Sequence, residues 1–324
     1  MRGILFLIGF TLAWEPAYAT PCPGNPDALG VSRELTVSAS EYARLGTMQY
    51  RQTLPLADRE VVLTFDDGPL PPYSDHVLDS LASECVKATF FLVGRHARAH
   101  PAAARRIYNA GHTVGTHSQN HPLTFDQISD VRAEHEIDDG IASVAAALGD
   151  SKALAPFFRI PGLLRTASVE AHLRARSLVV WSSDTLADDW RNITSNQVLH
   201  LALSRLERRG KGVLLLHDIQ PRMVLMLPKL LSELKRRGFK IVHVVPEGER
   251  PVLPDTLMAS APKLGWPRVA SAGGAPLIAG STAIPLDAES LKESAASTSA
   301  SHGGRAAAAK PRSKTAMPDL HAAQ

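Results

Sequence analysis

The chain lacks the features that mark several protein classes. Its 324 residues include two cysteines, Cys22 and Cys85, which are too few and too far apart to suggest a cysteine-ligated metal site. The formal net charge is only +3 and no basic stripe is interleaved with aromatics, so nucleic acid binding is not indicated. Beyond the N terminus no apolar run is long enough to span a bilayer. The glycine-rich turn of a dinucleotide-binding sheet is also missing.

Both ends of the chain are predicted to lie outside the folded domain. Residues 1–19 combine a positive start, an apolar run and the small-x-small sequence Ala17-Tyr18-Ala19, the pattern of a secretory signal cut after Ala19. Such a signal predicts a secreted or periplasmic protein. Residues 249–324 contain closely spaced prolines and stretches rich in Ala, Ser and Gly but few large apolar side chains, so we expect a disordered tail there.

Between these ends the sequence predicts an N-terminal extension, residues 20–57, and a catalytic domain, residues 58–248. After export Cys22 and Cys85 would meet an oxidising compartment, where they could pair and tie the extension to the domain. Two unlinked thiols are the alternative, because a sequence gives no distance between them. Nothing in the sequence indicates an oligomeric state.

Short apolar runs alternate with helical stretches between residues 60 and 246. Seven strands are predicted, over residues 60–65, 88–93, 113–116, 157–160, 178–181, 212–216 and 240–245. Helices are predicted to begin near Ser74, Pro101, Val131, Thr194 and Arg222, with Thr194 and Gln197 forming a capping box. This alternation predicts an α/β fold with a parallel sheet, most simply a distorted (β/α)7-type barrel in a single domain. An open doubly wound sheet is the alternative.

Polar motifs follow the predicted strands at the ends where the strands stop. Asp66-Asp67-Gly68 follows the first strand, and His117-Ser118-Gln119-Asn120-His121 follows the third. Arg159 lies at the end of the fourth, an acidic run ending in Trp190 follows the fifth, and His217-Asp218 follows the sixth. The carboxyl ends of parallel barrel strands share one face, which is where barrel enzymes keep their active sites.

The two adjacent carboxylates and the histidine pair together favour a metal site. Asp66 and Asp67 repel each other, so both ionise readily only near a cation or with different roles. In a helical turn His117 and His121 would share one face and could reach one ion. One carboxylate and two imidazoles suit zinc, and also cobalt or nickel, and leave the second carboxylate free as a base. Taken alone, the Asp-Asp-Gly sequence would also fit a solvated turn.

Taken in order, these motifs resemble those of the polysaccharide deacetylases of carbohydrate esterase family 4, over roughly residues 58–246. The resemblance implies one divalent metal ion held by Asp67, His117 and His121. It implies that Asp66 is the general base, oriented by Arg159, and that His217 is the general acid. Asp189 would orient His217, with Asp184 and Asp188 as alternatives. Gly162, Trp190 and Leu215 would contact the substrate.

Two motifs depart from the family pattern. Gly162 stands where an aromatic residue normally follows the proline of the third motif, and the spacing from Asp184 to Asp189 is longer than usual. His76, His96, His100 and His112 have no place in the motifs and are predicted to be surface or supporting residues.

The resemblance implies a metal-dependent hydrolase that removes N-acetyl groups from glycans containing N-acetylglucosamine and releases acetate. Chitooligosaccharide, peptidoglycan and exopolysaccharide all carry that group, and the motifs do not distinguish them. The other functions left open are an O-acetyl esterase, another amidohydrolase on the same scaffold, and a catalytically impaired envelope protein that only binds polysaccharide.

Overall fold

The computed structural model describes residues 22–251. The predicted signal sequence and the predicted tail beyond residue 251 lie outside this range. The strands are β1 (Arg33–Val37), β2 (Arg44–Leu45), β3 (Glu60–Asp66), β4 (Thr89–Leu92), β5 (Thr113–Thr116), β6 (Phe157–Arg159), β7 (Val179–Trp181), β8 (Thr185–Leu186), β9 (Gly212–His217) and β10 (Lys240–Pro246). The α-helices are α1 (Tyr73–Ser83), α2 (Gly94–Ala99), α3 (Pro101–Asn109), α4 (Asp130–Leu148), α5 (Ala167–Ala175), α6 (Ser195–Arg209) and α7 (Pro221–Arg236).

The sheet is parallel and almost closes on itself. From β3 the strand order runs through β4, β5 and β6 to β7. Strand β9 pairs with β3 on the side of β3 opposite to β4. The chain leaves β7 and immediately forms β8, which pairs with β9 through Thr185 and Leu214. The chain itself therefore bridges the gap in the ring. This confirms the predicted distorted α/β barrel and excludes the open doubly wound sheet.

Side chains along β3 point alternately outward and inward, and the inward ones explain why one end of the barrel is polar. Leu63 and Phe65 point outward into the apolar layer beneath the helices. Val62 points inward and packs in an apolar layer that fills the barrel interior together with Phe91, Phe157, Trp181 and Val213. Thr64 and Asp66 are the next two inward positions toward the carboxyl end of the strand. The inward positions of β3 therefore change from apolar to polar toward the edge where the motifs lie.

Several elements lie where the sequence did not predict them. Strands β1 and β2 belong to the N-terminal extension, and β1 pairs with β10 while β2 pairs with β7. Strand β8 and helices α2 and α5 are also additional to the prediction. The capping box at Thr194 and Gln197 is confirmed, and α6 ends at Gly210 in the left-handed conformation.

The N-terminal extension is tied to the barrel by covalent and ionic contacts. Cys22 and Cys85 form a disulfide with a Cα–Cα distance of 5.7 Å. The Arg33 guanidinium donates two hydrogen bonds of 2.8 Å to the Glu60 carboxylate at the start of β3. Within residues 22–251 no helix combines the length and apolar character needed to cross a membrane.

Candidate active site

The two adjacent aspartates at the end of β3 face different partners. Asp66 is the last residue of the strand and is 2% exposed, so its side chain lies inside the mouth of the barrel. Asp67 follows with φ of 78°, a left-handed conformation that turns its carboxylate away from the strand direction. The turn separates two carboxylates that would otherwise repel each other. Asp66 faces the Arg159 guanidinium, and Asp67 faces two imidazoles.

Arg159 holds the Asp66 carboxylate in place. Its Nη1 donates to Asp66 Oδ1 at 2.6 Å and to Thr64 Oγ1 at 2.9 Å, and its Nη2 donates to the Ser182 carbonyl at 3.0 Å. The guanidinium also lies 4.2 Å from the centroid of the Phe91 ring. Burial lowers the pKa of Arg159 despite the nearby Asp66 charge. The ion pair leaves Asp66 Oδ2 as the oxygen not bonded to Arg159.

Asp67 and the two motif histidines converge on one point. Asp67 Oδ1 lies 3.3 Å from His121 Nε2 and 3.5 Å from His117 Nε2. This oxygen is buried and has no hydrogen-bond partner among the described residues, as expected of an atom reserved for a ligand. Burial alone would raise the pKa of Asp67, but the nearby histidines, His217 foremost, more than offset it and lower the pKa.

The protonation of His117 suits a metal ligand. Its Nδ1 lies 2.7 Å from the Arg159 carbonyl oxygen, which only accepts, so Nδ1 carries the hydrogen and Nε2 presents its lone pair. Burial lowers the pKa of His117 to about 4, which keeps the ring neutral at pH 7. One carboxylate and two imidazoles whose donor atoms lie within 4.8 Å of one another fit a divalent cation such as zinc.

The predicted helical turn over the histidine motif is wrong. Residues 117–121 form an irregular loop in which Ser118 and His121 have φ values of 62° and 55°. The loop conformation is set by α4: the Gln119 amide donates to the Glu136 carbonyl, and the Asn120 amide donates to the Glu136 carboxylate, both at 2.7 Å. The two imidazoles meet because of this loop, with ring centroids 4.8 Å apart.

On the other side of the barrel mouth His217 is paired with Asp189. Its Nδ1 donates to Asp189 Oδ1 at 2.8 Å and its backbone N–H donates to Asp189 Oδ2 at 2.7 Å. Burial lowers the pKa of His217, but the buried Asp189 charge overrides it and raises the pKa to about 10. Trp190 packs edge-on against the His217 ring, with centroids 5.4 Å apart. His217 is therefore protonated at neutral pH, with Nε2–H free of the aspartate.

The structure separates the three competing aspartates. Asp188 is bound by Arg205, with Nη1 and Nη2 at 2.8 and 2.9 Å from its oxygens. Asp184 accepts from the Thr47 and Val213 amides and lies beside the start of β9, away from the His217 end. Only Asp189, of these three, lies against His217.

Comparison with known proteins identifies the family of the chain. A family model described as polysaccharide deacetylase matches residues 54–180. A chitooligosaccharide deacetylase of Sinorhizobium fredii is 31% identical over 220 residues, which cover 62% of this chain and 98% of that protein. The chain belongs to the polysaccharide deacetylase family. It is therefore a hydrolase of the deacetylase class.

Two further proteins similar to this deacetylase carry the name peptidoglycan deacetylase. A peptidoglycan-N-acetylglucosamine deacetylase of Bacillus cereus is 29% identical over 200 residues, 59% of this chain and 89% of that protein. The solved structure of a peptidoglycan deacetylase of Bdellovibrio bacteriovorus superposes with a TM-score of 0.60 at 30% identity. That match covers 68% of this chain, which spans 60% of the Bdellovibrio protein.

The other residues of the deacetylase that were predicted to contact substrate lie around the same opening. Gly162 is in a one-turn 3-10 helix over residues 161–163, directly beyond Arg159, with φ of 57°. Pro161 has no N–H, and the Leu163 N–H already donates to the Ile160 carbonyl. The Gly162 N–H is therefore the donor that this turn offers at the barrel mouth. Leu215 is two residues before His217 on β9 and shares its inward face.

The sequence did not reveal several residues that support the deacetylase site. His96, from the unpredicted helix α2, lies with Nδ1 2.7 Å from the Asp67 carbonyl oxygen. Asp218 is fully buried, accepts from the Ser74 hydroxyl, and its pKa is raised by burial to about 7. A methyl carbon on Gly68 would lie 2.2 Å from Asp218 Oδ2, so the glycine of the Asp-Asp-Gly motif admits this carboxyl group. No sequence pattern pairs these residues, because their partners are far along the chain.

Gly140 is one supporting residue that the sequence could have revealed. A glycine inside the 19-residue helix α4 indicates a position where another part of the chain packs closely. A methyl carbon at this position would lie 2.6 Å from the Ser118 carbonyl carbon, in the histidine loop. The glycine therefore lets α4 approach that loop closely.

Gly140→Ala is expected to destabilise the protein by about 1–3 kcal/mol through overpacking and to weaken metal binding. In an unconstrained helix the same change stabilises the protein by about 1 kcal/mol. The sign of the measured stability change therefore shows whether the close approach of α4 constrains this position. Thermal denaturation and metal titration would measure both effects. Ala146→Gly, at an exposed site on the same helix, is the control and should lower stability without altering metal affinity. A stabilised Gly140→Ala protein with normal metal affinity would show that the close approach is unimportant.

Proposed function

We propose that the protein is a metal-dependent deacetylase that hydrolyses the N-acetyl groups of glycans containing N-acetylglucosamine. The observation that carries this proposal is the convergence of three differently tuned groups at one barrel mouth. They are a carboxylate locked by Arg159, a carboxylate flanked by two imidazoles, and a histidine kept protonated by Asp189. Hydrolysis of an amide needs a base, an electrophile and an acid, and the site offers a candidate for each.

Asp67, His117 and His121 would hold the metal ion, with zinc preferred and cobalt or nickel as alternatives. Bound there, the ion would supply Lewis-acid polarisation of the acetyl carbonyl. The chain prepares the site before the ion arrives, since His117 is already neutral and His96 fixes the Asp67 backbone.

Asp66 is proposed as the base that takes a proton from the attacking water. Arg159 occupies Oδ1, so Oδ2 is the oxygen that would accept this proton. The water oxygen then bonds to the acetyl carbon, and negative charge develops on the acetyl oxygen. The Gly162 N–H would stabilise that charge from the protein side.

His217 is proposed as the acid that releases the amine. Asp189 holds Nδ1–H, so Nε2–H points away from the aspartate and would pass its proton to the leaving nitrogen. The carbon–nitrogen bond then breaks, giving acetate and a glucosamine unit. Trp190 and Leu215 would line the space for the acetyl methyl group.

We also propose that the enzyme is exported and acts outside the cytoplasm. The N-terminal sequence pattern predicts a secretory signal, and the Cys22–Cys85 disulfide is suited to an oxidising compartment. An N-acetylated cell-wall or extracellular glycan would then be the substrate, and neither nucleic acid nor a membrane-spanning segment is part of the proposal.

The proposal predicts acetate release from tetra-N-acetylchitotetraose that stops with chelator and returns with zinc. His121→Ala should lose the bound metal and the activity, while His200→Ala, at an exposed site on α6, should keep both. Metal content by mass spectrometry and acetate by a coupled assay are the measurements. Release of acetate from O-acetylated but not N-acetylated sugars would identify an esterase instead. Glycan binding without any acetate release would identify a binding protein.

A further inference from the structure

A basic groove borders the active site and involves residues outside the match to the family model. It is an open depression of about 410 Å³, here named the arginine groove and defined by Arg44, Tyr50, Arg51 and Arg165. The first three precede residue 54, where the family match begins. The proposed mechanism uses none of the four residues.

The arginine groove lies on the same edge of the barrel as the active site. Strand β2 runs parallel to β7, with Leu45 beside Trp181, so the chain beyond Leu45 emerges at the carboxyl edge. There Gly46 packs so closely on the Ser182–Ser183 backbone that a methyl carbon would lie 2.6 Å from the Ser183 nitrogen. Gln49 Nε2 then donates to the Leu163 carbonyl at 2.6 Å. Leu163 follows Gly162 directly, so one wall of the groove continues into the site.

The groove is built around a buried carboxylate. Glu170 accepts from Arg44 at 2.8 Å, from Arg165 at 3.0 Å and from the Tyr50 hydroxyl at 2.9 Å. Both guanidinium groups lie over the Tyr50 ring, 5.5 and 5.3 Å from its centroid. These contacts fix the two arginine heads before a ligand binds, which reduces the entropy lost on binding.

Positive charge in the groove exceeds what Glu170 neutralises. Arg44 and Arg165 both pair with Glu170, and within residues 22–251 the third guanidinium group, that of Arg51, has no ion-pair partner. The Arg44 and Arg165 side chains remain 45% and 42% exposed, so their outer N–H groups face solvent. Sugars stack on open aromatic rings, but the Tyr50 ring is covered by guanidinium groups. The groove therefore presents charge and planar N–H donors to the solvent.

We propose that the arginine groove binds carboxylate substituents of the glycan, so that the enzyme prefers an acidic glycan to a neutral one. A guanidinium pairs with a carboxylate through two parallel hydrogen bonds, and no uncharged sugar hydroxyl uses that geometry as well. Glycans with lactyl ether or uronic acid groups have the required chemistry. The inference rests on the proposed function and names the substrate class that it selects.

The test compares matched tetrasaccharides. One alternates N-acetylglucosamine with N-acetylmuramic acid and carries no peptide, the second is the same molecule with its carboxylates reduced to alcohols, and the third is tetra-N-acetylchitotetraose. Arg51→Gln should lower kcat/KM for the acidic glycan about tenfold, mainly through KM. Arg51→Gln/Arg165→Gln should lower it further. Turnover of the two neutral glycans should stay within about twofold of wild type, because they make no ionic contact to lose.

Arg208→Gln is the matched control, since it removes the same charge from an exposed position on α6. Binding of the three glycans to Asp66→Asn protein by calorimetry gives a second readout that needs no turnover. Tighter binding of the acidic glycan that disappears at high salt and in Arg51→Gln would support the proposal. Equal binding of the acidic and reduced glycans, or an equal loss in Arg208→Gln, would overturn it. Acetate release from the neutral tetrasaccharide by wild-type enzyme tests the proposed function separately.

Discussion

Asp66→Asn is expected to lower kcat by about 10²- to 10⁴-fold, the range for loss of a general base. Asparagine keeps the shape of the side chain but cannot accept the proton that the attacking water must lose. Metal binding should persist, because Asp67, His117 and His121 do not include the substituted residue. Steady-state kinetics and metal content on the same preparation would check both statements.

The substitution also removes one partner of a buried ion pair. Arg159 is fully buried and Asp66 is 2% exposed, so asparagine would leave the guanidinium without its counter-charge. Breaking such a pair from one side costs about 3–5 kcal/mol of folding stability. The melting temperature is therefore expected to fall as well. The kinetic assay should be run at a temperature well below the melting temperature of the Asp66→Asn protein.

Bound metal distinguishes lost chemistry from lost structure. The three proposed ligands come from the residue after β3 and from the loop after β5, so they would bind an ion only if the barrel mouth is intact. Asp139→Asn, at an exposed position on α4, is the control and should leave turnover, metal content and melting temperature unchanged. An Asp66→Asn protein that binds metal and turns over at the wild-type rate would disprove the role of Asp66 as the base.

The sequence predicted those parts of the fold that depend on local pattern. All seven predicted strands are present, because buried parallel strands are continuous apolar runs that stand out from the helices between them. Strands β2 and β8 contain two residues each, so their pairing is decided by neighbouring strands and not by their own composition. Helix α2 has six residues, too few to show a helical period, and α5 buries only Val169 and Leu173 among its apolar residues.

The same division applies to the site. Residue types and their positions at strand ends predicted that Asp67, His117 and His121 lie together, and the structure places them within reach of one ion. The conformation of the histidine loop was not predictable, because Glu136 on α4 sets it through contacts across the fold. Nor could sequence choose between Asp188 and Asp189. Arg205 on α6 binds the first, which leaves the second for His217.

Asp189→Asn is expected to move the alkaline limit of activity to lower pH. The Asp189 charge raises the pKa of His217 to about 10, so the acid form persists through neutral and mildly alkaline pH. Without that charge the pKa should fall toward the ordinary histidine value of about 6.5. At pH 8.5 only about 1% of the rings would then carry the proton, and kcat would drop by about a hundredfold. At pH 6 the loss should be much smaller, and a pH–rate profile would show the difference.

Asp188→Asn is the matched control, since the neighbouring carboxylate binds Arg205 and should leave the alkaline limit unchanged. Stability gives an independent check with a defined sign. A histidine whose folded pKa is raised adds stability that is complete below its unfolded pKa of about 6.5 and disappears as pH rises through about 10. Asp189→Asn should therefore cost more stability at pH 6 than at pH 10.5. An unchanged alkaline limit in Asp189→Asn, with an equal stability loss at both pH values, would mean that Asp189 supports the fold and does not set the charge of His217.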